Sequence, residues 1–139
     1  MFEPQNVLEH DLVRAANEPA HRAAFLRELL DAPVFLALLL SSGDRIEPDE
    51  HGHAVIPSGA RLELGAVERN GERALPFFSH PVRAQSFYRQ DHVVAPDSAR
   101  DIFARHPDTV FCLNPGSDYA VDLGRDDVAA LLRGDFTAH

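Results

Sequence analysis

The run RLELGAVERNGERALPFFS, residues 61–79, decides how the chain folds. Asn70-Gly71 stands between Arg61–Arg69 and Glu72–Ser79. A two-residue type I′ turn needs positive φ at both central positions, which Asn and Gly tolerate best. The spacing therefore predicts a β-hairpin and sets its register: Glu68 opposite Arg73, Ala66 opposite Leu75, Leu64 opposite Phe77 and Leu62 opposite Ser79. One face is then apolar and ends in an opposite-charge pair, a combination that stabilises a hairpin. Gly65 falls opposite Pro76. Proline cannot donate to a ladder, so the strand has an edge or a bulge there.

Working toward the N-terminus, Val34–Leu40 is apolar on both faces and reads as a central strand, with a helical reading left open by Ala37 and the leucines. Ahead of it lie two amphipathic helices. Asn6 is placed as an N-cap with Glu9 at the spacing of a capping box, and Leu8, Leu12, Ala15 and Ala16 follow at helical intervals up to Asn17. Pro19 restarts a helix whose inner stripe is Ala23, Phe25, Leu26, Leu29 and Leu30, ended by Asp31-Ala32-Pro33. Residues 41–60 carry Gly, Pro, Ser and charge without periodicity and read as a long flexible loop.

Toward the C-terminus, a short helix over Val82–Tyr88 precedes a brief strand at Val93–Ala95. Asp97 or Ser98 then caps a helix that runs to Arg105. Thr109–Leu113 is a second buried strand, and Asn114-Pro115-Gly116-Ser117 fits a type II turn. Tyr119, Val121 and Leu123 alternate as a strand. A last helix, Asp126–Arg133, turns Val128, Leu131 and Leu132 inward and has Gly134 as its C-cap. Interleaved helices and strands predict one mixed α/β (α+β) domain over residues 1–139, its core spanning about 6–133. The expected architecture is a mixed sheet of about five or six strands, with the two-helix opening and later helices packed on it.

Composition narrows the function classes. The 139 residues are 45% apolar and 25% charged, ordinary for a globular chain. A single cysteine, Cys112, excludes an intramolecular disulfide and any multi-cysteine metal site. The longest clean apolar run, Val34–Leu40, is too short to span a membrane. Twenty-two acidic residues against thirteen basic ones give −9, and the basic residues, all arginine, are scattered from Arg14 to Arg133. Such a surface repels a phosphate backbone and leaves no basic stripe for nucleic acid. Met1-Phe2-Glu3-Pro4-Gln5 lacks the basic and apolar regions of a secretory signal, so a cytoplasmic location is expected.

Candidate chemistry is sparse. His51-Gly52-His53, flanked by Glu47, Asp49 and Glu50, has the donors for a divalent cation, but zinc needs three or four fixed ligands and a solvated polar loop explains the same residues. His10 and His21 fall on polar helix faces, while His80, His92 and His106 mark element boundaries. Cys112, between Phe111 and Leu113, reads as an inert core thiol. Asp126-Asp127 suits a helix start through the macrodipole. No catalytic residue, metal or cofactor is expected.

Two groups remain as binding candidates. Asn114, Gly116, Ser117 and Asp118 follow a buried strand, where α/β sheets place ligands; the alternative is a turn that bonds its own backbone. Phe77 and Phe78, beside Leu75 and Pro76 on a hairpin with an open edge, could receive a partner strand. Their alternative is burial of both rings under helices.

Three motifs in order resemble the bacterial SseB N-terminal domain family. They are Phe25-Leu26-Arg27-Glu28-Leu29-Leu30 before the first strand, Asn70-Gly71 followed by Leu75-Pro76-Phe77-Phe78-Ser79, and Leu113-Asn114-Pro115-Gly116-Ser117-Asp118 before a short Leu-rich helix. The likeness covers about residues 6–133. It implies an α/β domain with no established catalytic activity and no agreed active site to carry over. Family members often have a second, C-terminal domain, and their last helix commonly begins with Pro where Arg125 stands here. The resulting expectation is a non-enzymatic module that binds a protein partner or forms a homo-oligomer; the rival is a small-molecule binder or small enzyme using the Asn114–Asp118 turn.

Overall fold

Residues 2–40, 47–48, 54–55, 62–89 and 91–136 are described by a computed structural model. Helix α1 (Val7–Asn17) starts where Asn6 leaves helical geometry and its side chain accepts the Glu9 N–H at 2.9 Å. Pro19–His21 forms a 3₁₀ turn before α2 (Arg22–Asp31), so the restart expected at Pro19 comes through a tighter turn first. Leu8, Leu12 and Ala15 of α1 meet Phe25, Leu26, Leu29 and Leu30 of α2 in the main core.

The strands divide into two ladders. In the first, β1 (Pro33–Leu40) is central, as its two apolar faces required, between β4 (Leu62–Leu64) and β7 (His92–Ser98), both antiparallel to it. The second runs in the order β5 (Val67–Arg69), β6 (Glu72–Phe77), β8 (Val110–Leu113), β9 (Val121–Leu123). Here β6 and β8 are parallel and the outer pairs antiparallel. Reciprocal backbone hydrogen bonds of 2.8 Å between Phe35 and Phe78 join the two ladders. Within residues 41–60, β2 (Glu47–Pro48) pairs with β3 (Ala54–Val55). The remaining helices are α3 (Pro81–Phe87), α4 (Ala99–Arg105, capped by Ser98) and α5 (Arg125–Leu132). The result is a mixed α/β domain of three- and four-stranded sheets with helices packed around them.

The hairpin forms, with a shorter register than expected. Asn70 and Gly71 have φ of 53° and 82°, as type I′ requires, and Glu68 faces Arg73. The pairings of Ala66 with Leu75, Leu64 with Phe77 and Leu62 with Ser79 do not form. Instead Leu64 pairs with Leu38 and Leu62 with Leu40 of β1. Two residues account for the departure. Phe77 C=O accepts the Asn114 N–H at 2.9 Å, so Phe77 turns its polar groups to β8. Alternation along the strand then points Pro76 toward β5, where it has no N–H to offer. At Gly65 the ring of Tyr88 fills the place a side chain would take, since an added Cβ would collide with the Tyr88 hydroxyl. The ladder therefore stops at Val67–Ala74, and the chain crosses to the other sheet.

Phe77 and Phe78 project to opposite faces and both are fully buried. Phe77 meets Phe103 and Phe111 edge-on, with centroids 5.9 and 6.2 Å away, an arrangement that favours aromatic pairs beyond area burial. Phe78 packs with Ala37 and Ala84, against Phe87 and Tyr88. On α5 the buried residues are Val128, Ala130 and Leu131. Leu132, expected inward, is exposed, because Val128 and Leu131 take the core-facing stripe and Leu132 lies about 100° further round the helix.

Candidate functional site

Strand β8 delivers the chain into the Asn114–Asp118 turn. Asn114 has φ of 51°, a left-handed conformation that Asn tolerates better than most residues, and Gly116 has 79°, as the third position of a type II turn requires. The Asn114 C=O accepts the Ser117 N–H at 3.2 Å and its hydroxyl at 2.9 Å. An added Cβ at Gly116 would stand 3.1 Å from the Phe87 ring, so the turn backbone lies close over α3.

Beneath the turn sits a buried polar network. The Asn114 side chain donates to Ser79 Oγ at 2.8 Å and accepts the Ser79 N–H at 3.0 Å. Ser79 Oγ donates to Glu9 Oε2, and Asn6 Nδ2 donates to the Ser79 C=O at 2.9 Å. Glu9 is fully buried and accepts from Arg83 Nε at 3.0 Å, Arg83 Nη2 at 2.8 Å and the Gln5 N–H at 2.8 Å. The return bond of the expected capping box thus goes to Gln5, one residue before the cap. Burial pushes the Glu9 carboxyl up, but the hydrogen bonds from Arg83, Ser79 and Gln5 outweigh it and hold it below the ordinary value. Arg83 also donates to the Glu3 C=O and lies 3.8 Å over the Phe2 ring, which meets Tyr119 edge-on.

These contacts define a cleft of about 280 Å³ lined by Phe2, Arg83, Phe87, Gly116, Ser117 and Asp118, among others. The candidate turn therefore divides: Asn114 is fully buried framework, while Gly116, Ser117 and Asp118 face the cleft. Phe2 and Arg83 were not legible as site residues. Phe77 and Phe78 belong to the core, so the covered alternative describes them. The hairpin's outer edge is β5, and β6 is internal.

A second depression, of about 470 Å³, runs between the two N-terminal helices and the edge strand β9. Leu12, Ala15, Phe25 and Leu26 line one side and Val121 and Leu123 the other, with Ala16, Arg22, Asp122 and Asp127 also bordering it.

The remaining candidates have structural roles. Cys112 is fully buried and its thiol is pushed up to about 12, chiefly by burial. His80 Nδ1 accepts the Val82 N–H at 3.1 Å and caps α3. Asp127 Oδ2 accepts the Gly124 N–H at 2.9 Å at the start of α5. His51 and His53 lie outside the described residues. Among the described residues, no group of three or more His, Cys, Asp or Glu side chains is arranged to hold a metal, and no helix is long and apolar enough to cross a membrane.

The family model for the SseB protein N-terminal domain matches residues 8–130. The chain belongs to the SseB N-terminal domain family. It is 37% identical over 93 residues to Protein SseB of Escherichia coli (strain K12), covering 60% of this chain and 35% of that protein. Protein SseB of Shigella flexneri matches to the same extent. The chain thus spans about a third of the length of the curated SseB relatives it matches. No solved structure is a significant match. The SseB match takes in Glu9, Ser79, Arg83 and the whole Asn114–Asp118 turn, whereas Phe2 lies outside it.

Proposed function

We propose that this SseB domain is a non-catalytic, cytoplasmic protein-interaction module that receives a segment of another protein in the groove between α1, α2 and β9. The observation that carries this reading is the groove itself, an apolar depression of about 470 Å³ opening beside an edge strand. Its volume falls within the roughly 300–1,000 Å³ of concave binding sites, and the anchor side chains of a partner fill pockets of this kind. On β8 the Asn114 N–H bonds to Phe77 of β6, so by alternation Phe111 and Leu113 turn their polar groups to β9, where Leu123 and Val121 are the paired residues and Asp122 presents its backbone outward. An incoming extended segment can bond there while its apolar side chains enter the groove.

Charge selects the partner. The chain carries −9, and two carboxylates border the groove beside Arg22, Asp122 paired on its outer side with Arg69 at 2.8 Å and Asp127 accepting the Gly124 N–H at 2.9 Å. Like-charge repulsion works against a second copy of the same chain, whereas a segment with an apolar anchor flanked by Arg or Lys is complementary. The side chains best suited to catalysis are otherwise engaged, Glu9 with Arg83 and Cys112 inside the sheet.

Selection of random short peptides displayed against the purified protein tests the reading. Enriched peptides are expected to share an apolar residue flanked by basic ones. They should lose binding to Ala16→Trp, which fills the groove from an exposed position on α1 and leaves the thermal midpoint unchanged. Absence of enrichment, or unchanged binding to that variant, contradicts it.

A further inference from the structure

We propose that the cleft under the Asn114–Asp118 turn is a second site, independent of the groove, that binds a small zwitterion carrying one carboxylate and one ammonium group. Two side chains facing the cleft have uncommitted polar atoms. Arg83 uses Nε and Nη2 on Glu9 and Glu3, and its Nη1 has no partner among the described residues. Asp118 is exposed, likewise without a partner, and lines the same cleft. The two do not pair with each other, and both line the same cleft. The hydroxyls of Ser86 and Ser117 are committed to the Val82 and Asn114 carbonyls.

A ligand with a single charge fits less well. Glu9 already compensates Arg83, so a lone anion would gain hydrogen bonds from Nη1 and meet repulsion from Asp118. A lone cation would gain Asp118 and face the guanidinium. A zwitterion answers both groups, carboxylate toward Arg83 and ammonium toward Asp118, with its short aliphatic body between the Phe2 and Phe87 rings. The volume of about 280 Å³ lies just under the roughly 300–1,000 Å³ of sites for drug-sized ligands, which restricts the occupant to a small metabolite.

The site is also preorganised. Glu9 grips Arg83 through two nitrogens, Phe2 covers the guanidinium, and the Ser79–Asn114 pair fixes the turn from below. Supporting hydrogen bonds of this kind reduce the ordering that binding requires.

The test is an amide-resolved NMR titration of the intact protein with glycine, β-alanine and γ-aminobutyrate, which vary the charge separation, and with acetate and methylammonium as single-charge controls. One zwitterion is expected to shift the Gly116, Ser117 and Asp118 amides saturably, with both controls about tenfold weaker or more, as loss of one charge-assisted hydrogen bond implies. Asp118→Asn should weaken that binding by a similar factor, and Ser86→Trp, which fills the cleft while leaving both charges, should abolish it. Both positions are exposed, and unchanged thermal midpoints verify that the variants are folded. No saturable shift at any spacing, equal binding of methylammonium or acetate, or undiminished binding to Asp118→Asn each overturns the proposal.

Discussion

Glu9 is the residue on which the turn region depends. Its carboxylate is fully buried, and Ser79 and Arg83, 70 and 74 positions later, supply three of its four hydrogen bonds. Removing one partner of a buried ion pair leaves the other charge uncompensated, at about 3–5 kcal/mol. Arg83 is slightly open to solvent, so Glu9→Gln should cost about 3 kcal/mol in urea unfolding, near the lower end of that range. A loss under about 1 kcal/mol would show that the pair contributes no more than a surface ion pair. None of this was legible beforehand. In the sequence Glu9 completes a local cap spacing, and nothing near it signals burial, because its partners are brought there only by the fold. The Asn70-Gly71 and Asn114–Ser117 turns were legible, since their backbone demands are local to the residues that meet them.

At the scale of elements, one exchange separates the expected hairpin from the observed sheets. Leu62-Glu63-Leu64 alternates identically whether its partner is β6 or β1, so pattern alone cannot choose between them. The choice is made by Pro76 and by Tyr88, whose ring stands against Gly65 and whose buried hydroxyl has no hydrogen-bond partner among the described residues. A buried hydroxyl without a partner destabilises, so Tyr88→Phe should be neutral or stabilising. Gly65→Ala should destabilise strongly in the native background and markedly less when combined with Tyr88→Phe, because the colliding atom is then gone. Additive effects in this double-mutant cycle would show that something other than the hydroxyl sets the crossing. Helix boundaries are legible because caps and breakers mark them: Asn6 for α1, Ser98 for α4 and Gly134 for α5.

For the whole molecule, two carboxyls tilt the stability profile in opposite directions. Glu28 on α2 is raised from its ordinary 4.5 to about 7 by a hydrogen bond with Asp11 of α1, then by burial and by the Asp11 charge. The native state therefore holds a proton there that the unfolded chain has released. This contribution is complete below pH 4.5 and disappears as pH rises through about 7. Glu9, held low, acts the other way: its contribution is present above the ordinary carboxyl range and is lost as pH falls through its lowered native value. Urea midpoints should decline between pH 5 and 7, and Glu28→Gln, which can donate to Asp11 without titrating, should flatten that decline. An unchanged slope in the variant contradicts the shared proton.

Helix α1 links the two surfaces assigned to binding, since Glu9 supports the turn cleft and Leu12 and Ala15 line the groove. The central claim is that a partner segment occupies that groove along β9. Hydrogen exchange of the protein with and without a selected peptide tests it most directly. The account predicts that the peptide slows exchange in Ala120–Gly124 and the facing turns of α1 and α2. Protection confined to other elements, or none in β9, would contradict it.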